Sequence, residues 1–113
     1  MTIDKYRVII TKTARYDIQD IKRHIREVYK NYQLAEDFSK KIKKAILGLE
    51  LFPKRNSKTE FTYREYNIYL RISNAYLIFY IIEELNNEII VLKVIQNRMN
   101  WKYYFKQWLI TNE

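Results

Sequence analysis

The feature that most constrains the fold is a change in the spacing of apolar residues about halfway along the chain. In the first half, apolar residues recur every three or four positions, which is the period of an amphipathic helix. One such stripe contains Ala14, Ile18, Ile21, Ile25, Val28 and Tyr32, and a second contains Leu34, Phe38, Ile42, Ala45, Ile46, Leu49 and Phe52. Only a few residues around Asn31 separate the stripes, and Pro53 ends the second. The sequence therefore predicts an antiparallel helical hairpin.

The second half of the chain has the patterns of β-strands. Three apolar runs, at residues 66–72, 75–82 and 88–95, are joined by short polar turns. The middle run is continuously apolar, as expected of a central strand, and strands joined by short turns are antiparallel. Residues 6–10 are rich in β-branched side chains and predict an N-terminal strand. Residues 54–63 are polar, and we expect them to be irregular.

Residues 101–110 favour a terminal helix, because Trp101, Phe105 and either Trp108 or Leu109 fall on one side of it. The predicted order is therefore β-α-α-β-β-β-α. This is an α+β fold with an N-terminal strand and an antiparallel helical hairpin packed on an antiparallel sheet. A length of 113 residues suits a single domain, residues 1–113, and one glycine and one proline leave little material for a linker.

Composition excludes several classes of chemistry. The chain has no cysteine and only one histidine, His24, so we expect no disulfide, no thiol nucleophile and no metal site. Its only glycine, Gly48, lies within the second helical stripe, so a glycine-rich phosphate loop is absent and we expect no cofactor. No apolar run approaches the ~18 residues of a membrane span, and the N-terminal residues lack the layout of a signal peptide. We expect a cytoplasmic protein without a membrane partner.

The net charge of +8 is the strongest indication of a partner. Such an excess attracts polyanions, although part of it can serve solubility alone. Residues 54–71 hold five cations and two carboxylates, and residues 93–106 hold four cations and no carboxylate. If these segments meet, they form one basic face. The lysine pairs at residues 40–41 and 43–44 are more typical of a solvated helix face.

The basic and aromatic residues of these two segments are the candidates for binding or catalysis. They are Lys54, Arg55, Lys58, Arg64, Arg71, Arg98, Lys102, Tyr103, Tyr104 and Lys106. Such side chains pair with phosphates and stack on bases. They can also stabilise the charge that develops in RNA cleavage, with a tyrosine as base where neighbouring cations lower its pKa. For Trp101 and Phe105, packing of the last helix on the sheet is the favoured explanation.

The order of these elements, together with several short motifs, resembles the RelE/ParE superfamily of bacterial toxins. The motifs are TKTARYDIQDI, LELFPKR, YREY, AYLIFYI and VLKVIQNRMNW. The resemblance implies a small α+β toxin of a type II toxin-antitoxin module. It also implies a cognate antitoxin whose acidic or amphipathic segment wraps a basic groove. RelE-like members cut messenger RNA on the ribosome, whereas ParE-like members poison DNA gyrase.

Individual residues bear on the choice between these two activities. Arg98 matches an arginine that follows the last strand in the family, and Arg64 matches one that precedes the second strand. Met99 replaces a second arginine after the last strand, and Leu77 stands where many members carry an arginine in the central strand. These two departures favour the ParE-like reading.

The sequence therefore predicts a ParE-like toxin that acts on DNA gyrase and is neutralised by a cognate antitoxin. Its predicted binding residues are Lys54, Arg55, Arg64, Arg98, Lys102 and Lys106. One alternative is a RelE-like, ribosome-dependent mRNA endoribonuclease that works without a metal and uses Arg98, Arg71 and Tyr104 as catalytic residues. Another is a non-toxic module that binds RNA or the antitoxin.

Overall fold

The computed structural model describes residues 5–98 and 100–112. Its helices and strands are, in chain order, β1 (Arg7–Ile10), α1 (Lys12–Tyr29), α2 (Tyr32–Leu47), β2 (Ser57–Tyr63), β3 (Tyr66–Ser73), β4 (Tyr76–Glu83), β5 (Glu88–Gln96) and α3 (Trp101–Asn112). Two short 3-10 turns, Gly48–Glu50 and Pro53–Arg55, connect α2 to β2. The predicted α+β class and the helical hairpin are confirmed.

The sheet has five strands in the order β1-β5-β4-β3-β2. β1 is parallel to β5, whereas the other neighbouring strands are antiparallel, so the sheet is mixed. The order predicted from sequence lacked β2, because residues 57–63 were expected to be irregular. Phe61 and Tyr63 alternate there with exposed polar residues on an edge strand. The alternation is short and surrounded by charged residues, so it predicts a strand only weakly.

Side-chain caps define where the two helices of the hairpin begin. Thr11 accepts a hydrogen bond from the Ala14 amide at 3.2 Å, and Asn31 accepts one from the Leu34 amide at 3.0 Å. Val28 and Tyr32, which the first stripe placed in the core, are 56% and 64% exposed. Val28 lies at the end of α1, and Tyr32 is the first residue of α2, so both flank the turn of the hairpin.

Both faces of the sheet are covered. The hairpin packs on one face against side chains of β4 and β5, including Ile78, Tyr80 and Val91. α3 packs on the other face, where Phe105 and Leu109 are buried against Phe79 and other apolar residues of the sheet. Packing of α3 through one side is thus confirmed. None of the helices in the described residues is both long and apolar enough to cross a membrane.

Asp17 and Lys93 connect the hairpin to the open part of β5. β1 ends opposite Val91, so the remainder of β5 has no strand on that side. The Asp17 carboxylate accepts hydrogen bonds there from the Val94 amide at 3.0 Å and from Lys93 Nζ at 2.8 Å. Burial raises the pKa of Asp17 above its ordinary value despite the opposing effect of Lys93. The ammonium of Lys93 also lies 6.0 Å from the ring centre of Trp108 in α3.

Candidate partner-binding surfaces

Arg98 lies at the corner between β5 and α3. The preceding Asn97 amide donates a hydrogen bond to the Ala75 carbonyl at 2.7 Å, which ties this corner to the turn between β3 and β4. The guanidinium carbon of Arg98 lies 5.5 Å from the ring centre of Tyr104. Two residues that the sequence placed in one candidate group therefore contact each other. Met99, where the sequence departs from the family pattern, lies outside the described residues.

A groove runs from this corner along α1, and we call it the Arg98 groove. Its volume is about 410 Å³, and its lining includes Asp17, Asp20, His24, Tyr76 and Arg98. It adjoins an apolar groove of about 440 Å³ beside the turn between α1 and α2, whose lining includes Ile25, Tyr29, Leu34, Phe38, Ile42 and Tyr76. Burial raises the pKa of Tyr76, which both grooves share. Together the two grooves offer charged groups at one end and apolar surface at the other.

Sequence reasoning missed the apolar groove. Tyr29 and Leu34 are 65% and 44% exposed at its rim, although Leu34 was counted in the second helical stripe. The signal that could have indicated the groove is the excess of apolar and aromatic residues on both sides of Asn31. The structure leaves Tyr29, Tyr32 and Leu34 exposed beside the turn of the hairpin.

Arg71 lies on the face of the sheet that carries the hairpin. A Cβ atom on Gly48 would come within 3.1 Å of Arg71 Nη1, so the guanidinium packs directly against the end of α2. Arg71 Nη1 and Asn56 Nδ2 are buried and have no hydrogen-bond partner in the described residues. Nearby, the Tyr80 hydroxyl donates a hydrogen bond to the Pro53 carbonyl at 2.5 Å. Burial raises the pKa of Tyr80 to about 12, so this hydroxyl is neutral at physiological pH.

Two residues of the predicted nuclease site are carried on opposite faces of the sheet. Arg71 packs beneath the end of α2, whereas Tyr104 belongs to α3, which covers the opposite face. Arg98 contacts Tyr104.

The predicted binding cations are spread over three places. Lys54 pairs with Glu84 beside the turn that precedes β2, and Arg55 lies in the same turn. Arg64 occupies the turn between β2 and β3, where its guanidinium carbon lies 5.0 Å from the ring centre of Tyr63.

The remaining two binding cations, Lys102 and Lys106, are exposed on α3. Lys102 Nζ lies 3.2 Å from Glu60 Oε1 of β2, and Lys102 and Lys58 line one groove, so cations of the two basic segments come together there. The described residues contain no group of three side chains that could ligate a metal ion.

Comparison with known families decides which kind of protein has this architecture. Residues 8–101 match the model of a family described as the ParE toxin of type II toxin-antitoxin system, parDE. The chain belongs to this ParE toxin family. The match spans β1 to β5 and the helical hairpin, and α3 lies outside it from its second residue onward.

Two solved structures show the same fold. One is from the chromosomal ParDE toxin-antitoxin system of P. aeruginosa, with a TM-score of 0.69 and 12% identity, covering 83% of this chain and 98% of that one. The other is from the toxin-antitoxin complex RelBE2 of Mycobacterium tuberculosis, with a TM-score of 0.57 and 18% identity, covering 84% of this chain and 94% of that one. No curated protein sequence matches this chain.

Proposed function

We propose that this ParE-family protein inhibits growth by acting on DNA gyrase and is neutralised by a cognate antitoxin. The observation that supports gyrase over messenger RNA is that Arg71 packs against the end of α2, whereas Tyr104 belongs to α3 on the opposite face of the sheet. Cleavage of RNA without a metal needs cations and a base around the same phosphate. A toxin that inhibits gyrase by binding needs no such arrangement. Both the target and the antitoxin would be met in the cytoplasm.

The Arg98 groove and the adjoining apolar groove are the proposed site for the antitoxin. The two solved neighbours come from toxin-antitoxin systems, which makes a protein partner the natural occupant. An amphipathic segment could place apolar side chains against Leu34 and Phe38 and an acidic side chain near Arg98. The net charge of +8 would speed association with an acidic partner.

The proposal is tested first with purified gyrase and supercoiled DNA. We expect the toxin to inhibit supercoiling or to trap cleaved DNA, and an equimolar antitoxin to abolish the effect. Induced expression in cells should stop growth and start a DNA-damage response. Cleavage of messenger RNA within translated codons, with gyrase unaffected, would refute the proposal. Normal growth in the presence of folded toxin would favour a non-toxic binding module.

A second candidate function is the RelE-like endoribonuclease, and the contact of Arg98 with Tyr104 is what favours it. The phenol hydroxyl of Tyr104 distinguishes the two candidate functions, because only a nuclease needs it for proton transfer. If the protein acts on gyrase, Tyr104→Phe keeps its toxicity. If it is a nuclease, Tyr104→Phe loses toxicity while Tyr103→Phe, the matched control on the exposed neighbouring residue, keeps it.

A further inference from the structure

The helical hairpin, rather than α3, carries most of the excess charge. Residues 12–47 contain ten lysines and arginines and five carboxylates, a net charge of +5 out of the protein's +8. Lys40, Lys43 and Lys44 are exposed on α2, and none of them forms an ion pair with a described residue. The side of α2 that carries these three lysines is therefore a cationic surface, and none of the three lines the Arg98 groove.

A cleft of about 320 Å³ lies between the two helices on this side, and we call it the α1–α2 cleft. One edge of α1 and one edge of α2 line it. Near the turn of the hairpin these edges are joined by the ion pair between Lys22 and Glu36, at 2.8 Å, and the hydrogen bond from Lys22 lowers the pKa of Glu36. Arg15 and Lys43 also line the cleft, and no carboxylate is among its lining residues. These two like charges repel each other unless an anion lies between them.

The α1–α2 cleft has a fixed donor geometry. Arg15 Nε donates a hydrogen bond to the Ile10 carbonyl at 3.2 Å, which orients the guanidinium and leaves its Nη groups available. Ser39 is only 4% exposed, the one polar residue that is so deeply buried in the described part of the chain, and it lines the cleft together with Gln19. Guanidinium, ammonium, hydroxyl and amide groups are the side chains that contact phosphate oxygens in nucleic acid complexes.

We propose that the α1–α2 cleft binds a phosphate group of a nucleic acid backbone. Arg15 and Lys43 neutralise the phosphate, and Ser39 and Gln19 donate hydrogen bonds to its oxygens. The exposed lysines of α2 beside the cleft fit the repeating charge of a nucleic acid better than a single carboxylate of a protein partner. This inference rests on the proposed function only for the source of the phosphate, which would be the DNA that gyrase holds.

The experiment measures binding of the purified toxin to a fluorescein-labelled 24-base-pair DNA duplex by anisotropy, at several salt concentrations. The test variant is Arg15→Gln combined with Lys43→Gln. The matched control is Lys30→Gln combined with Lys41→Gln, which removes the same charge from exposed positions of the hairpin outside the cleft. We expect the test variant to bind about tenfold more weakly and the slope of log affinity against log salt to fall by about two. The control should lose about twofold or less.

Stability measurements separate loss of the site from loss of the fold. Inorganic phosphate should raise the Tm of the wild type more than that of the Arg15→Gln and Lys43→Gln variant, while both melt alike without phosphate. Ser39→Ala should weaken duplex binding without changing the salt slope. Equal weakening in the test and control variants would overturn the proposal, because the general field of the hairpin would then explain the binding.

Two further arms identify the source of the anion. If an RNA duplex binds more tightly than the DNA duplex, the α1–α2 cleft is still a phosphate site. The phosphate would then belong to RNA of the ribosome. A polyglutamate peptide that binds as tightly as DNA, with the same loss in the test variant, would overturn the phosphate assignment in favour of an acidic protein. Duplex binding is measured without gyrase. A refutation of the proposed action on gyrase would therefore leave the binding result unchanged, and absence of duplex binding would not refute the action on gyrase.

Discussion

The two faces of the sheet are stabilised in different ways. The hairpin face combines an aliphatic core with polar connections, including Asp17 to Val94 and Tyr80 to Pro53. The α3 face is held mainly by aromatic rings: Phe105 stacks on Phe79 at 4.0 Å and contacts Phe61 at 5.3 Å. The ring contacts attach a single short helix, α3, to the sheet. The hairpin is attached by apolar packing and also by hydrogen bonds to the sheet, such as the one between Asp17 and Val94.

This difference coincides with the limits of the family match. The matched residues, 8–101, contain the hairpin face and all five strands, whereas nearly all of α3 lies outside them. α3 covers a face of the sheet that carries apolar side chains such as Phe79. Because α3 is a single helix held mainly by ring contacts, we expect stability to be cooperative on the first face and more local on the second.

Phe105→Ala should have the largest effect on the α3 face. The side chain is fully buried among aromatic rings, and we expect a loss of about 3–5 kcal/mol in the free energy that holds α3. Native-state hydrogen exchange should show faster exchange in α3 and nearly unchanged protection in the hairpin. Ile46→Ala, the matched change on the hairpin face, should cost about 2–5 kcal/mol and lower protection throughout the domain. Uniform loss in both variants would contradict the contrast between the faces.

Tyr80→Phe tests the polar part of the hairpin face. Removing the hydroxyl leaves the Pro53 carbonyl without its donor, so we expect about 1–3 kcal/mol less stability at neutral pH, measured by urea unfolding. The folded pKa of Tyr80 is about 12 against an ordinary value of 10.0. Between these values the unfolded chain loses a proton that the folded protein retains, so stability falls as pH rises.

The wild type should consequently lose roughly 2–3 kcal/mol from this group between pH 10 and pH 12, a loss that Tyr80→Phe does not share. The difference in free energy of unfolding between the wild type and Tyr80→Phe should decrease as pH rises. A gap that stays constant across this range would show that the Tyr80 hydroxyl titrates normally in the folded state.

Asp17→Asn tests the connection between the hairpin and β5. Burial keeps the pKa of Asp17 above its ordinary value of 3.8, so on acidification the folded protein takes up this proton before the unfolded chain does. The contribution of Asp17 to stability is therefore greatest below pH 3.8 and declines as pH rises through the folded pKa. Urea unfolding at several pH values should show that the free energy of unfolding of the wild type rises relative to that of Asp17→Asn as pH falls. If the wild type instead becomes less stable relative to Asp17→Asn as pH falls, the pKa of Asp17 is lowered and the effect of Lys93 dominates.

Arg98→Ala should have the smallest effect on stability. Its side chain is exposed at the corner before α3, so we expect a change within about 0.5 kcal/mol. Toxicity should nevertheless be abolished in the growth assay, because we expect the target of the toxin and the antitoxin to compete for the basic surface that includes Arg98. A large fall in Tm would mean that the contact with Tyr104 is structural.

Much of the fold was accessible from apolar spacing. The hairpin and α3 follow from a period of three to four and β3 to β5 from short apolar runs between polar turns, and the structure confirms each of them. β2 was missed because an edge strand contributes only alternate residues to the core, and Lys58, Glu60 and Thr62 conceal that alternation. The exposure of Val28 and Tyr32 depends on where the chain turns between α1 and α2, which apolar spacing alone does not indicate.

The candidate sites were less accessible. Arg98 and Tyr104 are six residues apart across the start of a helix, so local structure alone brings them together. The α1–α2 cleft depends instead on which edges of two helices face each other. The sequence alone predicts that Lys43 belongs to a solvated helix face. Its proposed role in binding phosphate follows from the structure, where Lys43 and Arg15 line the same cleft.

The sequence by itself determined the helices, their caps, most of the strands and the positive charge, because these depend on contacts and compositions within a few residues. The tertiary structure decided where Arg71 points. Neighbouring residues of a strand face opposite sides of a sheet, so Arg71 reaches Gly48 under the hairpin, whereas Leu70 packs on the α3 face. Which face each helix covers is set by packing between distant segments. The cations of this protein are therefore divided among surfaces that no single stretch of sequence reveals.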